Sequence, residues 1–412
     1  MTTSSLFHKS ELPGGLRVVT ERVPGVRSVA LGIWVTVGSR HETEETSGIS
    51  HFIEHMAFKG TQTRSALDIA RTIEQGGGYV NAFTGKELTC FFVHVLDEQL
   101  PTAVDILSDI LANSVFEPEA MGREKQVILD EIRDMEDSPD EVIHELFAQA
   151  VFEPHSLARS ILGPPANITR FTREDLLRFI QTHYSPDRVL VAAAGRVDHR
   201  TLTRLIREKL RLPAGEPSSD GGTPAPMVAK KKSQQRAIQQ AHVCVGGRGF
   251  RYRDKRRYTL SVLNTVLGGG MSSRLFQNIR EKYGIAYSIY SFADLLSDTG
   301  LIGIYFATDA SRVEKALELV AKEIRALKED ALKSTELHGI KTQLKGNIML
   351  GLEQVANRMN RVARAEIYLE KYADIAELSR KIDAVTARQI RDLTNELFRE
   401  ENLTTVILEP NQ

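Results

Sequence analysis

Two histidines four residues apart, with a glutamate between them, stand in His51-Phe52-Ile53-Glu54-His55. On a helix, residues i and i+4 lie one above the other, and Glu54 falls on the same face beside both. Neutral imidazoles at this spacing suit a divalent transition metal, zinc above all. A carboxylate too close to serve as a third ligand can instead take a proton from a metal-held water. The order H-x-x-E-H reverses the commoner H-E-x-x-H, and both satisfy the geometry. A surface helix carrying an i, i+3 ion pair would share these letters. Here, however, Ile49, Phe52, Ile53, Met56, Ala57 and Phe58 make the segment apolar over most of its circumference, as in a buried helix. Three ionisable groups in such a place need a partner, and a metal supplies one. Thr46 or Ser47 is expected to cap the start of the helix, and Gly60 follows its last turn.

A catalytic zinc takes three protein ligands and keeps a position for water, so a further ligand must come from elsewhere. The acidic segment 117–136 is the best source. Its apolar residues Met121, Val127, Ile128, Leu129, Ile132 and Met135 recur near helical spacing. Glu124 and Glu131 are seven apart and share a face, so one can ligate while the other orients a histidine from behind. Asp130 and Asp134 are the rival ligands if the register slips.

His51 to His55, followed far downstream by Glu131 in Val-Ile-Leu-Asp-Glu-Ile, resembles the zinc signature of the pitrilysin, insulin-degrading enzyme and mitochondrial processing peptidase superfamily. The string from His51 through Met-Ala-Phe-Lys-Gly to Thr61 is especially similar to the processing peptidase β-subunit and its bacterial relatives. The resemblance, which runs from about Leu12 to Leu408, implies a zinc metalloendopeptidase acting on extended peptides. It makes His51, His55 and Glu131 the ligands of one Zn²⁺ per chain, Glu54 the general base, and Glu124 the residue behind a ligand. In Ile279-Arg-Glu-Lys-Tyr-Gly-Ile-Ala-Tyr287, Arg280 and Tyr287 stand at the separation of the Arg and Tyr that the family brings to the zinc from its other domain. A guanidinium can hold a peptide carbonyl, and a phenol can donate to an oxyanion. The resemblance further places Asn81 and Ala82 beside the substrate backbone. Glu141 and Glu145 match an acidic pair that reads an arginine on the N-terminal side of the cut, and Phe58 would line the pocket on the other side. The superfamily encloses its site between two two-domain units, which implies a homodimer, or a heterodimer with a sister subunit. A non-catalytic peptide-binding or scaffold subunit is the alternative, and the intact zinc residues speak against it.

These groups must be positioned by a fold with a recognisable plan. The stretch 213–235, rich in Pro, Gly and Ser and ending in lysines, reads as a linker between a zinc-binding domain at 1–212 and a related domain at 236–412. Strands at 29–35 and 238–245, helices at 66–75 and 274–282, helices at 100–111 and 311–327, and late strands at 188–194 and 403–408 occupy equivalent places. The expected class is therefore α+β, with two related domains, each an antiparallel-rich sheet packed with helices. Only the first half carries H-x-x-E-H; its counterpart, Val262 to Gly270, has no ligand side chains. Gly76 to Gly78 precede a strand at 79–84, which suits an edge that accepts an extended peptide.

With 412 residues and 42% hydrophobic content, the chain can bury more than one core. A net charge of -1 gives no electrostatic footprint for nucleic acid. Cys90 and Cys244, the only cysteines, exclude a disulfide scaffold and suit a reducing compartment. No apolar run is long enough to span a bilayer and the first residues lack a secretory pattern, so a bacterial cytoplasmic protein without membrane association is expected.

Overall fold

The computed structural model describes residues 6–215, 222–224, 228–372 and 374–411. The chain forms two compact units, and neither is one contiguous half. Unit 1 comprises Met1–Arg133, Arg159–Gly222 and Leu350–Tyr372; unit 2 comprises Asp134–Ala158, Thr223–Met349 and Ala373–Gln412. The division thus departs from the expected 1–212 and 236–412, because each half of the chain lends a helix to the other unit. Of the expected linker, 216–221 and 225–227 lie outside the described residues, while its end, 231–235, falls within a strand.

Unit 1 is built on β1 (Phe7–Glu11), β2 (Arg17–Arg22), β3 (Ser28–Val35), β4 (Tyr79–Thr84), β5 (Thr89–Leu96) and β6 (Val189–Gly195). Their order is β1-β2-β6-β3-β5-β4, antiparallel except for the β2–β6 pair, and β4 forms one edge. Alternate residues Val29, Leu31, Ile33 and Val35 of β3, with Phe91, Val93 and Val95 of β5, point into one core. The helices Ile49–Ala57, Leu100–Asn113 and Pro118–Asp137 bury their apolar faces against it. Each fully buried Leu, Ile or Phe there contributes about 1.5–3 kcal/mol.

The opposite face of the sheet is covered by the helix Val355–Leu369, which presents Met359, Val362 and Ala363. Charge also fixes it. Glu21 receives Arg358 at 2.8 Å and Arg361 at 3.1 Å, and Glu366 receives Lys9 at 2.7 Å and Arg17 at 3.3 Å. Tyr368 donates to Glu87, which pairs with Arg40 at 2.6 Å. All three carboxylates are buried, so each needs these partners.

Unit 2 repeats the plan with β7 (Lys231–Arg236), β8 (Ala241–Gly249), β9 (Ala286–Leu295), β10 (Gly300–Thr308) and β11 (Thr404–Pro410). The order β7-β11-β8-β10-β9 matches β2-β6-β3-β5-β4 strand for strand, including the one parallel pair. Helices Arg257–Gly268, Val313–Glu329 and Ala387–Leu397 fill one side, and Pro139–Phe152 fills the other. Two expected elements shift: the strand expected at 238–245 is β8, and 276–281 form a π-helical turn within the expected helix.

Candidate metal centre

The helix Ile49–Ala57 starts differently from expectation. Its N-cap is Gly48, whose φ of 97° lies in the left-handed region that glycine tolerates. Neither Thr46 nor Ser47 caps it. The carboxylate of Glu42 does, accepting from Gly48 N–H at 2.8 Å and Ser50 N–H at 2.9 Å. Glu42 is buried, and burial pushes its carboxyl up from the ordinary value against the pull of those two bonds. A local sequence pattern could not single out Glu42, six residues ahead of the N-cap. At the other end Phe58 is the C-cap, and Gly60 follows with φ 126°.

His51 and His55 emerge one turn apart with ring centroids 4.6 Å apart. The helix Pro118–Asp137 crosses opposite them and delivers Glu131, whose Oε2 lies 3.6 Å from His51 Nε2 and 3.4 Å from His55 Nε2. One ligand atom from each residue can be chosen so that all three lie within 4.8 Å of one another, and this is the one such group of His, Cys, Asp and Glu among the described residues. Around a tetrahedral zinc with bonds of about 2.0–2.2 Å, neighbouring ligand atoms sit about 3.3–3.6 Å apart. The donor set therefore fits zinc. Burial, then the neighbouring His55, lowers His51 to about 4, so its imidazole is neutral at neutral pH and has a lone pair to give. A His51–Glu131 ion pair is excluded by the same fact, and Nδ1 of His51 is buried without a hydrogen-bond partner. Asp130 pairs with Arg133, and Asp130 and Asp134 are both exposed, which leaves Glu131 as the acid facing the rings.

Behind His55, Nδ1 lies 3.2 Å from Glu124 Oε2, a contact that puts the ring proton on Nδ1 and the lone pair on Nε2. The other oxygen of Glu124 takes Lys59 Nζ at 2.6 Å. Glu54 sits on the same helix face, and Thr84 Oγ1 at the end of β4 donates to its Oε2 at 2.5 Å. Desolvation raises the Glu54 carboxyl, opposed by Thr84. A raised carboxyl suits a group that must take and return a proton near neutrality. Sequence reasoning missed Lys59 and Thr84. Lys59 stands four residues after His55, a helical spacing that could have marked it, whereas Thr84 has no local signal.

The other candidates are distributed as follows. Asn81 and Ala82 lie on the edge strand β4; Ala82 packs toward the core, and Asn81 is exposed with Oδ1 accepting from Ala82 N–H at 2.8 Å. Gly78 makes room for β5: a Cβ there would meet Val95 Cγ1 at 2.5 Å. Gly78 thus serves the sheet's own packing, whereas at Gly77, with φ 76°, a Cβ would meet nothing within 4 Å. Phe58 packs against the core and Phe91. In unit 2, Arg280 lies over the Tyr287 ring at 5.8 Å, and Tyr287 is 75% exposed. Glu141 and Glu145 are one turn apart on Pro139–Phe152, with Glu141 exposed.

The family model described as Insulinase (Peptidase family M16) matches residues 17–165, and that described as Peptidase M16 inactive domain matches 170–344. The uncharacterized zinc protease YmxG of Bacillus subtilis is 38% identical over 393 residues, covering 95% of this chain and 96% of that protein. The chain belongs to peptidase family M16. An uncharacterized zinc protease of Streptomyces coelicolor is 40% identical over 407 residues, covering 97% of this chain and 89% of its own length. Among solved structures, a protease from Helicobacter pylori superposes with a TM-score of 0.90 at 22% identity, covering 98% of this chain and 99% of its own. A peptidase M16 inactive domain from Pseudomonas fluorescens gives 0.92 at 18% identity, with 98% of both chains covered. These two likenesses concern the fold: two M16 domains, each a sheet packed with helices. Among the described residues no helix is long and apolar enough to cross a membrane.

Proposed function

We propose that this M16 chain is a zinc metalloendopeptidase that cleaves extended peptides. The observation that carries the reading is the convergence of His51 Nε2, His55 Nε2 and Glu131 Oε2, with Glu54 beside them. His51, His55 and Glu131 would hold one Zn²⁺. When bound, zinc supplies a Lewis acid that polarises a carbonyl and acidifies water. Glu54 takes the proton of the attacking water and returns it to the leaving amine; its raised carboxyl supports both steps. Thr84 holds Glu54 in place, and Glu124 holds His55. The free edge of β4 pairs with the substrate backbone past Asn81 and Ala82. Arg280 and Tyr287 hold the substrate carbonyl and steady the oxyanion, a role supported by the accessible phenol of Tyr287. Glu141 and Glu145 favour a basic residue on the N-terminal side of the cut, and Phe58 borders the other side.

The chain acts as a homodimer or with a sister subunit, in the cytoplasm; an exclusively monomeric species on gel filtration would refute the pairing. The decisive experiment is a mixed-peptide digest read by mass spectrometry, with and without chelator, on the wild type and Glu54→Gln. The wild type cleaves with zinc and stops with chelator. Glu54→Gln keeps zinc and loses turnover by roughly 10²–10⁴-fold. Zinc binding without any turnover by the wild type would refute the peptidase reading in favour of a structural zinc, and neither zinc nor turnover would favour a non-catalytic peptide-binding or scaffold subunit.

A further inference from the structure

The face of the unit 1 sheet turned away from the metal helix carries aromatic side chains for which the proposed mechanism has no use. Directly opposed residues of antiparallel strands share a face, so the register sets out three rows: Tyr79–His94–Ala30, Asn81–Phe92–Gly32 and Phe83–Cys90–Trp34. The helix Val355–Leu369 covers the inner end of these rows. A Cβ on Gly32 would meet Met359 Sδ at 3.1 Å, which puts that helix directly over β3. The outer end stays open: Tyr79 is 47% exposed and Phe83 38%, with Phe92 and His94 half-buried.

The rings touch in an unbroken series. Centroids are 5.4 Å apart for Trp34–Phe83, 6.3 Å for Phe83–Phe92, 6.2 Å for Phe92–Tyr79 and 5.6 Å for Tyr79–His94. Burial keeps the His94 imidazole below its ordinary value, so the shelf bears no charge at neutral pH. Single exposed apolar residues are ordinary on a protein surface, but a contiguous aromatic patch beside an unpaired edge strand is an adhesive liability that natural sheets avoid. This one begins one residue from Thr84, whose hydroxyl holds Glu54, and runs away from it along β4.

We infer that this shelf is a distal specificity subsite, which takes a bulky aromatic or apolar side chain of the peptide several residues from the cleaved bond. The inference rests on the proposed pairing of substrate with β4. A chain added to that edge sends every second side chain to this face. From Thr84 to Tyr79 the strand advances by about 17 Å at about 3.3–3.4 Å per residue. The side chain that settles on Tyr79 and Phe92 therefore belongs to a residue roughly three to five positions from the bond.

The test uses binding to zinc-loaded Glu54→Gln full-length chain, in which peptide is not consumed. A short fluorescent Ala/Ser peptide carries a single Trp that is moved one position at a time, and affinity is read by anisotropy. The expected result is a roughly tenfold gain at favoured positions, alternating with weak ones, over the peptide without Trp. Adding Tyr79→Ala or Phe92→Ala should erase the gain while leaving the Trp-free peptide unchanged, which also reports that the edge is intact; Tyr79→Phe should retain it. A Trp gain that survives both alanine variants, or no gain at any position, overturns the inference. A wild type that binds Trp peptides on the shelf but cleaves nothing would sink the peptidase reading and leave the subsite standing.

Discussion

Glu124 offers the sharpest quantitative test of how the metal centre is held. Its two oxygens are divided between His55 Nδ1 at 3.2 Å and Lys59 Nζ at 2.6 Å, so one buried carboxylate both orients a ligand and is anchored by a cation. Loss of a carboxylate behind a metal-bound histidine typically costs 10–100-fold in metal affinity. Glu124→Gln keeps an oxygen that can accept from His55 but gives up the charge and turns an amide toward Lys59, so zinc affinity should fall roughly tenfold. Glu124→Ala removes both contacts, and the loss should approach a hundredfold, or about 2.7 kcal/mol. Competition with a fluorescent chelator measures this directly. An independent readout is thermal: at constant excess zinc, a tenfold weaker site forfeits about 1.4 kcal/mol of metal-linked stability, or about 3–6 °C for a domain of some two hundred residues. Melting the metal-free proteins in parallel subtracts any purely structural effect. If Glu124→Ala, folded without metal, bound zinc within twofold of wild type, the argument that Glu124 positions His55 would be refuted.

Glu42→Ala leaves the N–H groups of Gly48 and Ser50 buried and unpaired, and should cost about 2–4 kcal/mol in urea unfolding of the metal-free protein; a change below about 0.5 kcal/mol would show that another group caps the helix. In unit 2, burial lowers the pKa of His144, whose Nε2 lies 2.8 Å from the Tyr290 hydroxyl. Because the folded value lies below the unfolded 6.5, the unfolded chain gains a proton first as pH falls, and stability is lost from that point down to the folded pKa at up to about 1.4 kcal/mol per pH unit. His144→Gln should flatten the stability profile between about pH 7 and 5 relative to wild type, and parallel profiles would count against this assignment.

Much of the centre was legible in the sequence because its parts are local. The spacing of His51, Glu54 and His55 names a helix face, and the heptad separation of Glu124 and Glu131 names another. The sheets were legible through alternation and through the parallel layout of the two halves, which the strand orders repeat. Less legible was anything that depends on which surface a stripe covers. The stripe Val355, Met359, Val362 and Ala363 announces a packed helix but says nothing of whose sheet it packs on, so the exchanged helices stayed hidden. Arg358, Arg361 and Glu366 read as solvated charges on that helix, yet their partners Glu21, Lys9 and Arg17 lie more than three hundred positions away. Thr84 reaches Glu54 across a tertiary contact for the same reason.

That exchange has a consequence for how the polypeptide matures. During synthesis, the sheet of unit 1 is complete once β6 has been made, but the helix that roofs its second face is encoded near the other end of the message. At about 5–20 residues per second the ribosome needs on the order of ten seconds or more to supply it. Throughout that interval Gly32, Trp34, Cys90 and the carboxylates Glu21 and Glu87 lack the cover and partners that Met359, Arg358, Arg361 and Tyr368 later provide. Nascent chains released before residue 350 should therefore be sticky and prone to degradation, and coexpressed fragments cut in the 216–227 stretch should recover solubility only by finding each other.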